Sequence, residues 1–206
     1  MPEETEEESE VGALLQQLQK ESWTPGDILH YGPERRTLAI WCDISSESVL
    51  PIISQLLELE HRSPGEPIKV HLCTEGGSLS AALALFDTMR MITSPVIITA
   101  TGVCASAGLL ILAAGDRRYS TENTQFFYHQ PIMPGEAPMI SAEMVTETAN
   151  AYIEQQVNYD KLIRERCEID DGVWSAHFEG KVAKYFSPHE AATYGLIHRV
   201  IENKGG

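Results

Sequence analysis

Apolar residues recur with two different periods in this chain, and the switch between the periods is its main structural signal. Thr37-Leu-Ala-Ile-Trp-Cys42, Ile68-Lys-Val-His-Leu-Cys73, Pro95-Val-Ile-Ile-Thr-Ala100 and Gln125-Phe-Phe-Tyr-His129 are short runs rich in β-branched and aromatic residues, which read as strands. Between them apolar positions return at helical spacing. Val49, Ile52, Ile53, Leu56 and Leu57 make one face, and Leu79, Leu83, Phe86 and Met89 make another. Leu109-Leu-Ile-Leu-Ala-Ala114 is apolar enough for a helix buried all round. Pro51 fits the first helix only within its opening turn, where no N–H is needed. Strands alternating with helices predict an α/β fold with right-handed crossovers and a largely parallel sheet. The C-terminal ends of its strands then meet along one edge, where such folds place ligands.

The second half reads differently. Pro131 to Pro138 is a loop rich in Pro, Gly and Met, and Ser141 to Arg166 then runs without Gly or Pro, helical throughout by composition. At about 1.5 Å per residue this helix is close to 40 Å long, too long to lie on so small a core. It is expected to project and meet a partner, most simply a second copy. The tail from Phe186 reads as a helix, a stop at Gly195 and a last strand. Ahead of the alternating body, residues 1–10 read as an acidic tail, and Val11, Leu14, Leu15 and Leu18 as a short amphipathic stretch.

Composition narrows the partners. A formal net charge of −15 over 206 residues argues against nucleic acid or an anionic membrane as partner. Six glutamates between positions 3 and 10 supply part of it and leave about −9 for the rest, so the body is acidic too. Cys42, Cys73, Cys104 and Cys167 show neither Cys-x-x-Cys nor zinc spacing, which predicts free thiols and a reducing compartment. No apolar stretch reaches the roughly 20 residues that span a bilayer, and the N-terminus has no signal-peptide character. The expectation is a cytoplasmic protein.

Three features fall at strand ends. Gly102-Val-Cys-Ala-Ser-Ala-Gly108 is a turn of small residues between a strand and a buried helix, with Ser106 at the helix start. Ser106 reads either as a helix cap or as a nucleophile beside free amides. A lipase-type elbow would carry Gly two residues earlier, where Cys104 stands. Gly76-Gly77 after the second strand can present an unobstructed N–H, completing a two-donor oxyanion hole with Ala107. His129 closes an apolar strand, as a packed core histidine or as a general base.

On these residues the chain resembles the ClpP-type serine peptidases, the proteolytic subunits of Clp protease, from about Arg36 to Ile201. The resemblance lies in Gly76-Gly77 with Phe86-Asp87-Thr88-Met89, in Ala105-Ser106-Ala107-Gly108, in His129-Gln130-Pro131, and in Ser187, Glu190-Ala191 and Tyr194-Gly195-Leu196-Ile197. It implies a ClpP/crotonase-like spiral of ββα units. Residues 1–35 would be an acidic tail with a short helical segment, and residues 36–206 the peptidase domain, with a handle at about 140–167. It implies Ser106 as nucleophile, His129 as base and the Gly77 and Ala107 amides as oxyanion hole. Polypeptides would be cut without metal or cofactor inside stacked heptameric rings of one subunit. A crotonase-type acyl-CoA enzyme is the reading from another class, and it would not need the Ser–His pair.

Departures from the family pattern mark a divergent member. Ala183 stands where the family carries its triad aspartate, leaving the third catalytic group unknown. Asp170, Asp171 and Glu179 are the nearest acidic substitutes in sequence. Without a carboxylate the subunit would be a Ser–His dyad, weakly active or non-catalytic. The resemblance also implies an AAA+ unfoldase, yet Lys69 and His71 occupy positions where the family receives its partner's loop on aromatic residues. That substitution argues against the usual docking.

Overall fold

The computed structural model describes residues 36–130 and 141–202. The expectations for residues 1–35 and for the 131–138 loop lie outside the described residues. Among the described residues seven strands form one sheet: β1 (Thr37–Trp41), β2 (Ile68–Thr74), β3 (Val96–Ala105), β4 (Arg117–Thr121), β5 (Gln125–His129), β6 (Ala183–Phe186) and β7 (Arg199–Ile201). The helices are α1 (Ser46–Arg62), α2 (Leu79–Met91), α3 (Ala107–Ala114), α4 (Ala142–Cys167), α5 (Asp171–His177) and α6 (Pro188–Thr193). The main sheet runs β1-β2-β3-β4-β7, all parallel, while β5 pairs parallel with the far end of β3 and antiparallel with β6.

This sheet branches because β3, at 10 residues, is twice as long as β4 and β5, which share one of its edges. Ile97 to Ala100 pair with β4, and Val103 to Ala105 pair with β5. Residues 102–105 are therefore strand, where their small size suggests a turn. Gly102, at φ 63°, bends the strand, and β5 supplies the hydrogen bonds that keep it extended. The turn into α3 shrinks to Ser106 alone.

Local signals explain most boundaries. A Ser45/Ser48 capping box starts α1, so Pro51 falls in its second turn instead of the first. The missing bond is tolerated because Val49, Ile52, Leu56 and Leu59 are buried beneath the same helix. Glu60 at its end accepts from the Thr93 and Ser94 N–H groups at 3.1 and 3.0 Å, tying α1 to the exit of α2. The hydroxyl of Ser94, followed by that of Thr93, is the main cause that lowers the Glu60 carboxyl to about 2. Every residue of α3 is buried. Ile68, Val70, Leu72, Ile98 and Ala100 of the sheet are buried as well. The helix α4 is 26 residues long, about 39 Å, and leaves Ile153 and Val157 61% exposed.

Strand β4 was not signalled by apolar spacing. Its Arg118 is buried, with the guanidinium donating to the carbonyls of Leu196, Gly115 and Gly195 at 2.9, 3.0 and 3.4 Å. All four cysteines are free. Among the described residues no helix is long and apolar enough to cross a membrane.

Candidate active site

Ser106 sits where β3 stops and α3 begins, at φ 53° and ψ −125°. That conformation costs a non-glycine residue roughly 1–3 kcal/mol, so the surroundings must hold it. Its N–H donates to Phe127 O at 2.8 Å, and its carbonyl accepts from Tyr159 Oη at 2.8 Å and from the Leu109 N–H at 3.0 Å. The side chain makes no capping bond. Of the two readings of Ser106, the cap is thus not realised, and the residue lines a cleft instead.

The glycine pair makes room for this turn. A Cβ on Gly76 would lie 2.6 Å from Ser106 Cβ and 2.8 Å from Ala105 O. One on Gly77 would lie 2.3 Å from Ile44 O, and the two glycines have φ of 104° and 139°. The loop is pinned by Ile44 N–H to Gly76 O and Ser78 N–H to Ile44 O, each 2.7 Å, and by Gly76 N–H to Thr74 Oγ1 at 3.1 Å. Neither the Gly77 nor the Ala107 N–H has a hydrogen-bond partner among the described residues. Both residues line one cleft of about 210 Å³ together with Ser106, His129, Leu79, Tyr152, Gln155 and Tyr159.

His129 ends β5, half-buried, with its ring 5.2 Å from that of Phe127, which stacks on Tyr185 at 4.2 Å. Its Nδ1 meets the Gln130 carbonyl at 2.6 Å, so the main chain holds the imidazole where a triad would use a carboxylate. Ala183 is the residue directly opposite His129 in the antiparallel β5–β6 ladder. The three acidic substitutes are engaged elsewhere. Asp170 caps α5, Asp171 pairs with Arg164, and Glu179 accepts from Ser175.

Sequence reading did not single out Tyr152, Gln155 and Tyr159, which bring the middle of α4 to the cleft. Their spacing of three and four residues, one helix face, was the available signal. A neighbouring network fixes α4 to β5: Tyr128 Oη donates to Asp160 Oδ1 at 2.8 Å, and Gln156 Nε2 donates to both. Burial pushes the Asp160 carboxyl up and the Tyr128 and Tyr159 hydroxyls well up, keeping both phenols neutral donors. Among the described residues no cluster of His, Cys, Asp and Glu is placed to hold a metal ion.

A serine at a strained strand-to-helix turn, an imidazole and two unpaired main-chain donors around one cleft are the parts of a serine acyl-transfer site. The family model described as Clp protease matches residues 24–204, and the chain belongs to that family. It is 28% identical over 171 residues to the ATP-dependent Clp protease proteolytic subunit of Bdellovibrio bacteriovorus, covering 82% of this chain and 80% of that one. It is 33% identical over 158 residues to the chloroplastic proteolytic subunit 4 of Arabidopsis thaliana, covering 73% of this chain and 51% of that longer protein. Among solved structures, a point mutant of ClpP1 from Listeria monocytogenes superimposes with a TM-score of 0.73 at 28% identity, covering 84% of this chain and 94% of the other. The ClpP-type α/β fold is thereby established.

Proposed function

We propose that the protein is a serine endopeptidase that hydrolyses peptide bonds of unfolded polypeptides within an oligomeric chamber. Ser106 Oγ attacks the carbonyl carbon, and His129 takes its proton and returns it to the leaving amine. The amides of Gly77 and Ala107, at the positive end of α3, hold the oxyanion. Water then attacks the acyl-enzyme by the same route. One observation carries this reading: the strained Ser106, unused as a cap, shares a cleft with His129 and two partnerless N–H groups. The projecting α4 suits a handle between stacked heptameric rings, and a cytoplasmic location suits the free thiols.

Labelling by an active-site fluorophosphonate tests it. Ser106 carries the label, and Ser106→Ala loses both label and peptide hydrolysis. An unlabelled Ser106 with hydrolysis unchanged in the variant overturns the reading. A second reading, a weakly active or non-catalytic ring subunit, is favoured by Ala183 opposite His129. It predicts full-length oligomers that label and cleave weakly or not at all.

A further inference from the structure

Helices cover one face of the main sheet. The other face carries the residues that alternate with the buried set, and strand register arranges them in rows. One row is Thr37, Lys69, Ile97 and Arg117, and the next is Ala39, His71, Thr99, Tyr119 and Arg199. Lys69, His71, Arg117 and Arg199 are exposed. None of the three cations has a carboxylate partner among the described residues, and Arg199 lies over the Tyr119 ring at 6.0 Å. Strands β1, β2, β3, β4 and β7 contain no Asp or Glu at all. Neighbouring strands lie about 4.8 Å apart, so the Lys69 and Arg117 backbones are separated by about 10 Å, about one Debye length at 0.1 M salt. In a chain of net charge −15 this is a local positive field.

We propose that this face is the docking surface of the chain's own acidic segment, Glu3 to Glu10. Six carboxylates in eight residues complement a cationic platform that the body leaves unneutralised. Reach is not limiting. From Glu10 to Arg36 the chain runs 26 residues, about 90 Å if extended and about 39 Å even if wholly helical. Arg36 delivers it to the first row itself, because its guanidinium is bonded to the carbonyls of Leu59 and Glu66 beside the start of β1. As a tethered ligand the segment meets the platform at high effective concentration, and any other acidic polypeptide must displace it.

Zero-length carbodiimide coupling of the full-length protein at low ionic strength, mapped by mass spectrometry, tests the proposal. Lys69 is expected to couple to carboxylates of residues 3–10 several-fold more than Lys161 or Lys181, exposed lysines elsewhere on the molecule. Raising salt to about 1 M, where screening acts over about 3 Å, removes the excess. Arg117→Ala with Arg199→Ala lowers it several-fold, and the salt arm needs no variant to fold. Three results overturn the proposal: equal coupling at the three lysines, coupling of Lys69 to body carboxylates alone, or light-to-heavy links in an isotope-mixed sample. The last would give the face to a second copy.

Discussion

On the β3 side of the cleft nearly every group is held from several directions. Ser106 has its N–H on Phe127 O, its carbonyl on Tyr159 and Leu109, and the bare backbone of Gly76 against its Cβ. On the β5–β6 side the imidazole of His129 has one acceptor among the described residues, the carbonyl of the next residue, and His129 pairs with Ala183 across the ladder. Under the proposed mechanism Ser106 is over-determined while His129 is held by a neutral acceptor. A carbonyl can fix the tautomer, but it stabilises the imidazolium formed in the transition state far less than an anion would. If the proposed mechanism holds, the contrast puts the limit on rate at His129 and not at Ser106.

Breaking the well-built side should have the largest consequence. Gly76→Ala forces a Cβ into Ser106 Cβ at a φ of 104°, so fluorophosphonate labelling of Ser106 should fall at least about 100-fold. Completing the other side should raise activity. Ala183→Asp puts a carboxylate opposite His129 at an exposed edge position, and kcat/KM for a peptide substrate should rise about 10- to 100-fold. That stays short of the ~10⁴ that loss of an evolved triad aspartate costs. Unchanged kcat/KM would show that the Gln130 carbonyl already suffices.

Smaller effects sharpen the same contrast. Tyr159→Phe deletes the donor to Ser106 O and leaves the packing, which should cost about 1 kcal/mol in thermal unfolding and slow labelling about 5-fold. Glu60, remote from the cleft, supplies the control. Its carboxyl is lowered to about 2 in the folded chain, so its contribution is present above its ordinary range near 4.5 and is lost as pH falls through about 2. Glu60→Gln should therefore be less stable than wild type at neutral pH. The gap should close on acidification across that window in denaturant titrations, with labelling at neutral pH unaltered.

What the sequence made legible was local. The period-two runs, the helical spacings between them, the glycine pair and the small residues around Ser106 each act through neighbours a few positions away. The elements that went unread depend on distant partners. Gly102 to Ala105 are extended because β5 lies beside them, β4 hides behind two arginines of which one is buried by three carbonyls, and β6 offers only Phe186 to the core. Tyr159 reaches Ser106 across 53 positions, a contact that no spacing rule anticipates. The family resemblance identified Ala183 as the odd residue, but only the ladder shows what it faces.

The long helix α4 gives the cleft Tyr152, Gln155 and Tyr159 from its middle turns, while Ile153 and Val157 on another side of the same turns stay in water. A lever of that kind couples the reaction centre to whatever steadies its outer end. If that is another copy of the chain, dilution becomes a chemical variable. Turnover per subunit would then climb with protein concentration before it levelled off.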